Sequence, residues 1–283
     1  MTDRVFKLLG LFSIERPTWT AEQIASKLEV AVSSAYRLIG SLSKAGLVDA
    51  ITPGQYVLGP GIIQLDRQIQ LTDPLLRAAV PVMNEMITMA PPGSTILLCR
   101  AFRDHVLCVH QVIGGPQSPV SYERGRPRPL FRGATSKAIL AFMPPRALKR
   151  LYGIYAEEIK GAGLGQRWSE FLATLRGWRK MGYVLANSEV DRGRFGIAAP
   201  VLNGDRNAIG SLSYVIDADK ADERTVNRLA PLIMATAREV ERGISANAAA
   251  KGQPAKMGSS NNRSGSKRPK AVKQVRRRIP PAR

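Results

Sequence analysis

Cysteine and histidine are nearly absent from this sequence, with two of each in 283 residues. Two cysteines cannot build a disulfide framework, and they fit a reducing compartment. The two histidines, His105 and His110, leave no paired-histidine metal motif. Neither a nucleophile elbow nor a Walker loop occurs. Acid–base catalysis would have to rest on carboxylates such as Glu189 and Asp191, so a non-enzyme without a cofactor is expected. No apolar run reaches 18 residues, which argues against a membrane-spanning helix. The chain starts Met-Thr-Asp-Arg, without an apolar signal region, so a cytoplasmic protein with no membrane partner is expected.

Acidic residues are missing from one end. Residues 245–283 hold eleven Lys and Arg and no Asp or Glu, more than half of the net charge of +20. This segment is rich in Gly, Ser, Asn, Pro and Ala and poor in large apolar groups. Such a composition cannot bury enough surface to fold, so a disordered basic tail is expected. Tails of this kind bind polyanions without reading sequence, and salt weakens them steeply. The first 70 residues are nearly neutral, with seven basic and six acidic side chains. Nucleic-acid affinity there has to come from placed contacts.

The placed contacts are legible at residues 18–46. Thr20 can cap a helix, with Gln23 completing a capping box, and it also stands among the candidate DNA contacts. Ile24, Ala25 and Leu28 give that helix an apolar stripe. A turn through Glu29–Val32 leads to a second helix starting at Ser33 or Ser34, with Ala35, Leu38, Ile39 and Leu42 on its apolar face. Ser33, Ser34, Tyr36, Arg37 and Ser41 then point outward. Small hydroxyl donors and an arginine at a helix start suit a DNA major groove. Arg37 is the candidate for a base or phosphate, Lys44 for a phosphate. Gly46 stops the helix. Residues 47–51, a Thr-Pro-Gly turn and Gln55–Leu58 form a hairpin. The module is a winged helix-turn-helix for double-stranded DNA, over residues 1–59.

Gly59-Pro60-Gly61 opens a linker helix at 60–73. Residues 74–244 alternate strand-like and helix-like runs. The expected strands include 94–100, 105–113 and 120–123, with an irregular stretch at 124–133. Thr135 or Ser136 caps a helix, and short and long helices at 146–152, 168–181 and 222–244 follow. This order reads as an α+β sensor domain. If the hairpin turns at Arg103-Asp104, Cys99 faces Cys108, and His110 shares their face. That spacing matches no common zinc pattern, so packing is the expected role.

In sum the chain resembles the IclR family of transcriptional regulators. Ser33–Leu38 and Tyr56–Gly59 carry the resemblance, with Ser136–Pro144, Gly182-Tyr183, Gly193–Pro200 and Leu229–Leu232. It spans roughly residues 4–244. It implies a GAF-like effector domain, dimers that pair into tetramers, a promoter operator and a small organic acid effector. It also implies that Gly133, Ala134, Thr135 and Ser136 line the effector pocket. Independently, free N–H groups at a helix start bind carboxylates. Members that take small oxo-acids tend to carry Asp and Cys where this chain has Ala186 and Gly196. The loss of those groups predicts a roomier pocket and an aromatic or acyl-type acid. Arg124, Arg126, Arg128, Arg132, Arg192 and Arg194 are candidate clamps for its carboxylate, with Arg132, directly before the helix, preferred, and Glu189 also in the pocket. The competing expectation is a non-specific architectural protein driven by the tail.

Overall fold

The computed structural model describes residues 2–116 and 121–252. The N-terminal part runs α1 (Thr2–Leu9), β1 (Trp19–Thr20), α2 (Ala21–Leu28), α3 (Val32–Lys44), β2 (Val48–Thr52), β3 (Gln55–Leu58) and α4 (Gly61–Thr72). Then come α5 (Pro74–Thr88), β4 (Thr95–Phe102), β5 (His105–Ile113), β6 (Pro127–Pro129), α6 (Ala134–Ala141), α7 (Pro145–Gly161) and α8 (Trp168–Met181). The chain continues with β7 (Val184–Asn187), β8 (Arg194–Leu202), β9 (Ala208–Asp217) and α9 (Glu223–Gly252).

Thr20 caps α2 as its sequence predicts. Its Oγ1 accepts from Gln23 N at 3.3 Å, and Gln23 Oε1 accepts from Thr20 N at 3.2 Å. Helix α3 starts at Val32, earlier than the expected Ser33 or Ser34. Glu29 ends α2 in the left-handed region at φ 53°, so the chain reverses quickly. Ala31 O then accepts from Ser34 N and Ala35 N and closes the first turn without a side-chain cap. Leu8, Trp19, Ile24, Ala35, Leu38, Ile39, Leu42 and Val48 form the small core. Strands β2 and β3 make the wing, and β3 also pairs with β1. The foot of the wing is a backbone-on-backbone contact. A Cβ at position 59 would lie 2.3 Å from Gly46 O, and one at position 61 would lie 2.7 Å from it. Glycine at both positions lets Gly61 N donate to Gly46 O, which sets where α4 leaves the wing. Helix α4 buries no side chain, and Ile63, Leu65, Ile69 and Leu71 are exposed along it.

The C-terminal part is a six-stranded sheet in the order β6-β5-β4-β9-β8-β7, antiparallel throughout. The pleat sends alternate side chains to opposite faces. Ile96, Leu98, Leu212, Tyr214 and Ile216 pack with Met83 and Met86 of α5 and Leu229 and Ile233 of α9. Leu97, Cys99 and Val215 pack on the other face with Ile139 of α6, Leu151 of α7 and Phe171 of α8.

Several sequence expectations need correction. Residues 121–123 form no strand, and Val120 lies outside the described residues. The edge strand is β6, inside the stretch expected to be irregular. Prolines are tolerated there because an edge strand need not donate on both sides. Helix α6 is not capped by Thr135 or Ser136. It begins at Ala134 on Gly133, and both hydroxyls serve tertiary contacts instead. Helix α7 runs on to Gly161, with a local break at Tyr155. Helix α9 continues to Gly252, so residues 245–252, assigned from composition to the tail, are helical. The rest of the tail lies outside the described residues.

Candidate nucleic-acid interface and effector site

Helix α3 presents a polar strip to solvent. Ser33, Tyr36, Arg37, Ser41 and Lys44 are exposed and Ser34 is half-buried, while Leu38, Ile39 and Leu42 face the core. The strip is partly ordered from within. Arg37 Nη2 donates to Ser34 Oγ at 3.2 Å, and Ser41 Oγ donates to Arg37 O at 3.0 Å. Tyr36 OH donates to Glu22 Oε1 at 3.5 Å, and that carboxylate raises the phenol above its ordinary range. The guanidinium therefore leaves most of its donors open to a partner. Thr20 differs, since its hydroxyl is already engaged as the α2 cap.

The second site lies where the start of α6 packs against β8 and β9. A cavity of about 30 Å³ is lined by six of the eight predicted residues: Gly133, Ala134, Thr135, Ala186, Glu189 and Gly196. The other two predicted residues are not in the lining. Arg132 is exposed and lies outside the cavity lining, because the left-handed turn at Gly133 (φ 81°) separates it from the helix. Ser136 is buried, and its Oγ pairs with Tyr122 OH at 2.9 Å. The arginine that does line the cavity is Arg194. It pairs with Asp217 and donates to Gly93 O at 3.2 Å. Tyr122, Val190, Asp191 and Val215 complete the lining. Arg194 stands in a motif already quoted for its glycine and Ile-Ala-Ala-Pro, and Asp191 closely precedes it. Nothing local marks Tyr122, Val190 or Val215.

The pocket is smaller than Ala186 and Gly196 suggest. The space freed at position 196 is taken by the helix: a Cβ there would lie 3.0 Å from Ala134 Cβ. Ala134, Ala138, Val184, Ala186 and Ala198 make this close contact possible. Two of the buried hydroxyls pair with groups across the contact. Thr135 Oγ1 pairs with Ser213 Oγ at 2.9 Å, and Ser211 Oγ donates to Thr135 O at 3.0 Å. Burial pushes the Tyr122 phenol far up, against the opposing bond from Ser136. Asp217 is held below the usual carboxylate range, chiefly by Lys220 and also by Arg194. Glu189 accepts from Gly133 N at 2.9 Å and from Lys137 Nζ at 2.6 Å. Asp191, on the same loop, accepts from Ser121 N at 3.0 Å and from its hydroxyl.

Two ion pairs tie the linker helix to this domain. Arg124 grips Asp66 of α4 with Nη1 at 3.0 Å and Nη2 at 2.5 Å. Asp73 meets Arg100 at 2.5 Å with one oxygen and caps α5 with the other. In the β4–β5 hairpin, Cys99 lies opposite Cys108 as the turn at Arg103-Asp104 predicts. A bulge between Leu98 and Cys99 pairs His110 with Leu98, so the expected shared face of all three is lost. Among the described residues, no three His, Cys, Asp or Glu gather at metal-binding range. No helix among them is long and apolar enough to cross a membrane.

A winged helix-turn-helix joined by a helix to a sheet-and-helix domain with a cavity at a helix start defines a ligand-binding transcriptional regulator. The chain belongs to the IclR family. Residues 71–242 match the bacterial transcriptional regulator IclR C-terminal model, and residues 2–50 match the IclR helix-turn-helix domain. Among curated proteins it is similar to the HTH-type transcriptional regulator KipR of Bacillus subtilis. The two are 24% identical over 240 residues, covering 84% of this chain and 94% of the other. HTH-type transcriptional regulator BhcR of Paracoccus denitrificans is 23% identical and is covered over 86% of each chain. These relatives are regulators, not enzymes. Among solved structures, an IclR-type regulator from Alicyclobacillus acidocaldarius superposes with a TM-score of 0.67 at 20% identity, over 86% of this chain and 98% of that one. An IclR homolog from Microbacterium hydrocarbonoxydans, complexed with 4-hydroxybenzoate, gives 0.66 at 19% identity over the same shares.

Proposed function

We propose that this protein binds a promoter operator as a homodimer through residues 1–59 and releases or rearranges there when the 74–244 domain takes up a small organic acid. The exposed strip of Ser33, Ser34, Tyr36, Arg37 and Ser41, with Lys44, carries the reading. Arg37 is the base-reading or phosphate-gripping residue, because among the described residues no carboxylate pairs with its charge and Ser34 engages one donor. The exposed apolar residues of α4 support the dimer, since Ile63, Leu65, Ile69 and Leu71 are left open to solvent among the described residues. Two copies related by two-fold symmetry place their recognition helices about 34 Å apart, one turn of DNA. Dimers of dimers are a further assembly open to such a chain.

The effector reading rests on the α6 start. Gly133, Ala134 and Thr135 line a cavity, and the N–H of the cap residue Gly133 already holds a carboxylate, that of Glu189. The related Microbacterium protein was captured with 4-hydroxybenzoate, an aromatic acid. The linker at 60–73 carries the response through the Arg124–Asp66 and Arg100–Asp73 pairs, and an effector shifts it only by binding one arrangement more tightly. The basic segment from residue 245 adds sequence-independent affinity.

Footprinting tests this reading. The full chain and a version ending at Gly252 are compared on the upstream region at about 0.2 M salt, where phosphate-only binding is strongly weakened. Two protected half-sites related by two-fold symmetry, unmoved by removal of the tail, are the expected result. Uniform coating by the full chain, with no footprint from the shorter one, would replace it with a tail-driven architectural protein.

A further inference from the structure

The carboxylate at the α6 start comes from the protein itself. Glu189 sits on the β7–β8 loop, 52 residues from Lys137 along the chain. One carboxylate takes both Gly133 N–H and the Lys137 ammonium. Lys137 is 5% exposed and lies over the Trp178 ring at 5.6 Å. A buried ammonium needs a partner, since stranding it costs several kcal/mol. Glu189 supplies that partner, yet its side chain keeps 31% of its surface in solvent. It can leave without passing through the core. The neighbouring cavity of about 30 Å³ holds a water or two, not an aromatic acid.

We propose that Glu189 is a built-in competitor for the effector: an entering monocarboxylate takes over Gly133 N–H and Lys137, and Glu189 is expelled to solvent. This deepens the acid-sensing reading and rests on it. The exchange is carboxylate for carboxylate, so Lys137 is never left unpaired and no charge is newly buried. Neutral ligands lack that compensation. The site therefore selects anions of charge −1 whose remaining bulk occupies the volume that the Glu189 side chain and its loop give up.

Expulsion also has a mechanical consequence. Glu189 and Asp191 share one short loop bounded by left-handed Ser188 and Gly193. Asp191 holds Ser121, and three residues later Arg124 holds Asp66 of the linker helix. A loop that moves when Glu189 leaves therefore pulls on the segment that anchors α4. The competitor is thus placed on a loop that lines the pocket and also contacts the linker's anchor segment.

The test uses the full chain and reads thermal unfolding against added acetate, benzoate or the neutral analogue acetamide. In Glu189→Ala the two donors are vacant. Millimolar acetate and benzoate should raise its melting temperature saturably, with an apparent affinity at least tenfold above wild type, and acetamide should not. If Glu189→Ala does not fold, Glu189→Gln keeps the side chain and removes the charge, and it should also bind acids at least tenfold more tightly. The double variant Glu189→Ala/Lys137→Met should lose the acid response. Equal acid responses in wild type and the single variants, or none in the variants, would overturn the proposal. Operator release separates the two claims. If the variants capture acids but no acid alters DNA binding by the wild type, acid sensing falls and the competitor remains. If acids release DNA while wild type and variants bind them alike, the competitor falls and acid sensing remains.

Discussion

Helices α3 and α6 open on similar residues and meet opposite fates. One starts Val32-Ser33-Ser34, the other Ala134-Thr135-Ser136. In α3 the hydroxyls face solvent and the next polar residues, Tyr36 and Arg37, form only short-range contacts. In α6 all eight residues are buried, and the Ser136 hydroxyl, the Thr135 hydroxyl and the Gly133 N–H are held by Tyr122, Ser213 and Glu189 in turn. The difference is one of readiness. A surface helix keeps its donors solvated and can hand them to a partner at little cost. A buried helix start cannot stay unpaired, so a partner must displace something already there. The same residue types thus make an open polar strip in one domain and a closed, occupied helix start in the other.

The contrast can be broken most severely at Gly133. Gly133→Ala forces a side chain into φ 81°, 2.9 Å from both Tyr122 OH and Val190 Cγ2. Strain of this kind costs about 1–3 kcal/mol, and the clash adds to it. The urea midpoint should fall clearly. Ser34→Ala, at the matching hydroxyl-rich start of α3, should leave it within about 0.5 kcal/mol. Equal losses at both positions would show that the two helix starts are not so different. Arg37→Ala is the next largest effect and inverts the order. Operator affinity should drop by roughly 1–3 kcal/mol, about fivefold to 150-fold, with unfolding unchanged. Thr135→Ala should do the reverse. It removes a buried pair with Ser213 and should cost about 1 kcal/mol of stability. Gel-shift titration beside urea unfolding reads both pairs.

Much of the recognition head was legible because its determinants are local. Thr20 and Gln23 are three residues apart, Gly46 follows its helix directly, and the wing turn is Thr-Pro-Gly. Apolar spacing at Ala35, Leu38, Ile39 and Leu42 is enough to say which side of α3 is buried. The pocket was legible only in outline. Gly133, Ala134 and Thr135 could be placed because a helix start is a local feature. Choosing between Arg132 and Arg194 could not be done locally, since four arginines fall within residues 124–132 and two more at 192 and 194. Which of them turns inward depends on Gly133 and on Asp217, 23 residues beyond Arg194. The volume of the pocket was misjudged for the same reason. Replacing larger side chains by Ala186 and Gly196 opens space only if the opposing helix stays where it was, and here Ala134 closes in. Strand β6 was hidden because Pro127 and Pro129 read as a breaker, and only its position at the sheet edge makes them acceptable.

The smallest effect concerns the tie between the two regions. Asp66 and Arg124 form a bidentate pair, but both are about a third exposed, so the pair contributes under about 1 kcal/mol to stability. Its bond from Arg124 holds the Asp66 carboxyl below its ordinary value of 3.8. A depressed carboxyl contributes its stability above the unfolded-state value and loses it as pH falls through the lower folded value. Asp66→Asn should therefore unfold slightly earlier than wild type near neutral pH, and the gap should close as the pH is lowered below about 4. The pair matters more for communication than for stability. If it anchors the linker to the pocket side of the domain, Asp66→Asn should leave acid binding intact while reducing the change in operator affinity that the acid produces. A variant that keeps the full response would mean that Arg100 and Asp73 alone carry the connection.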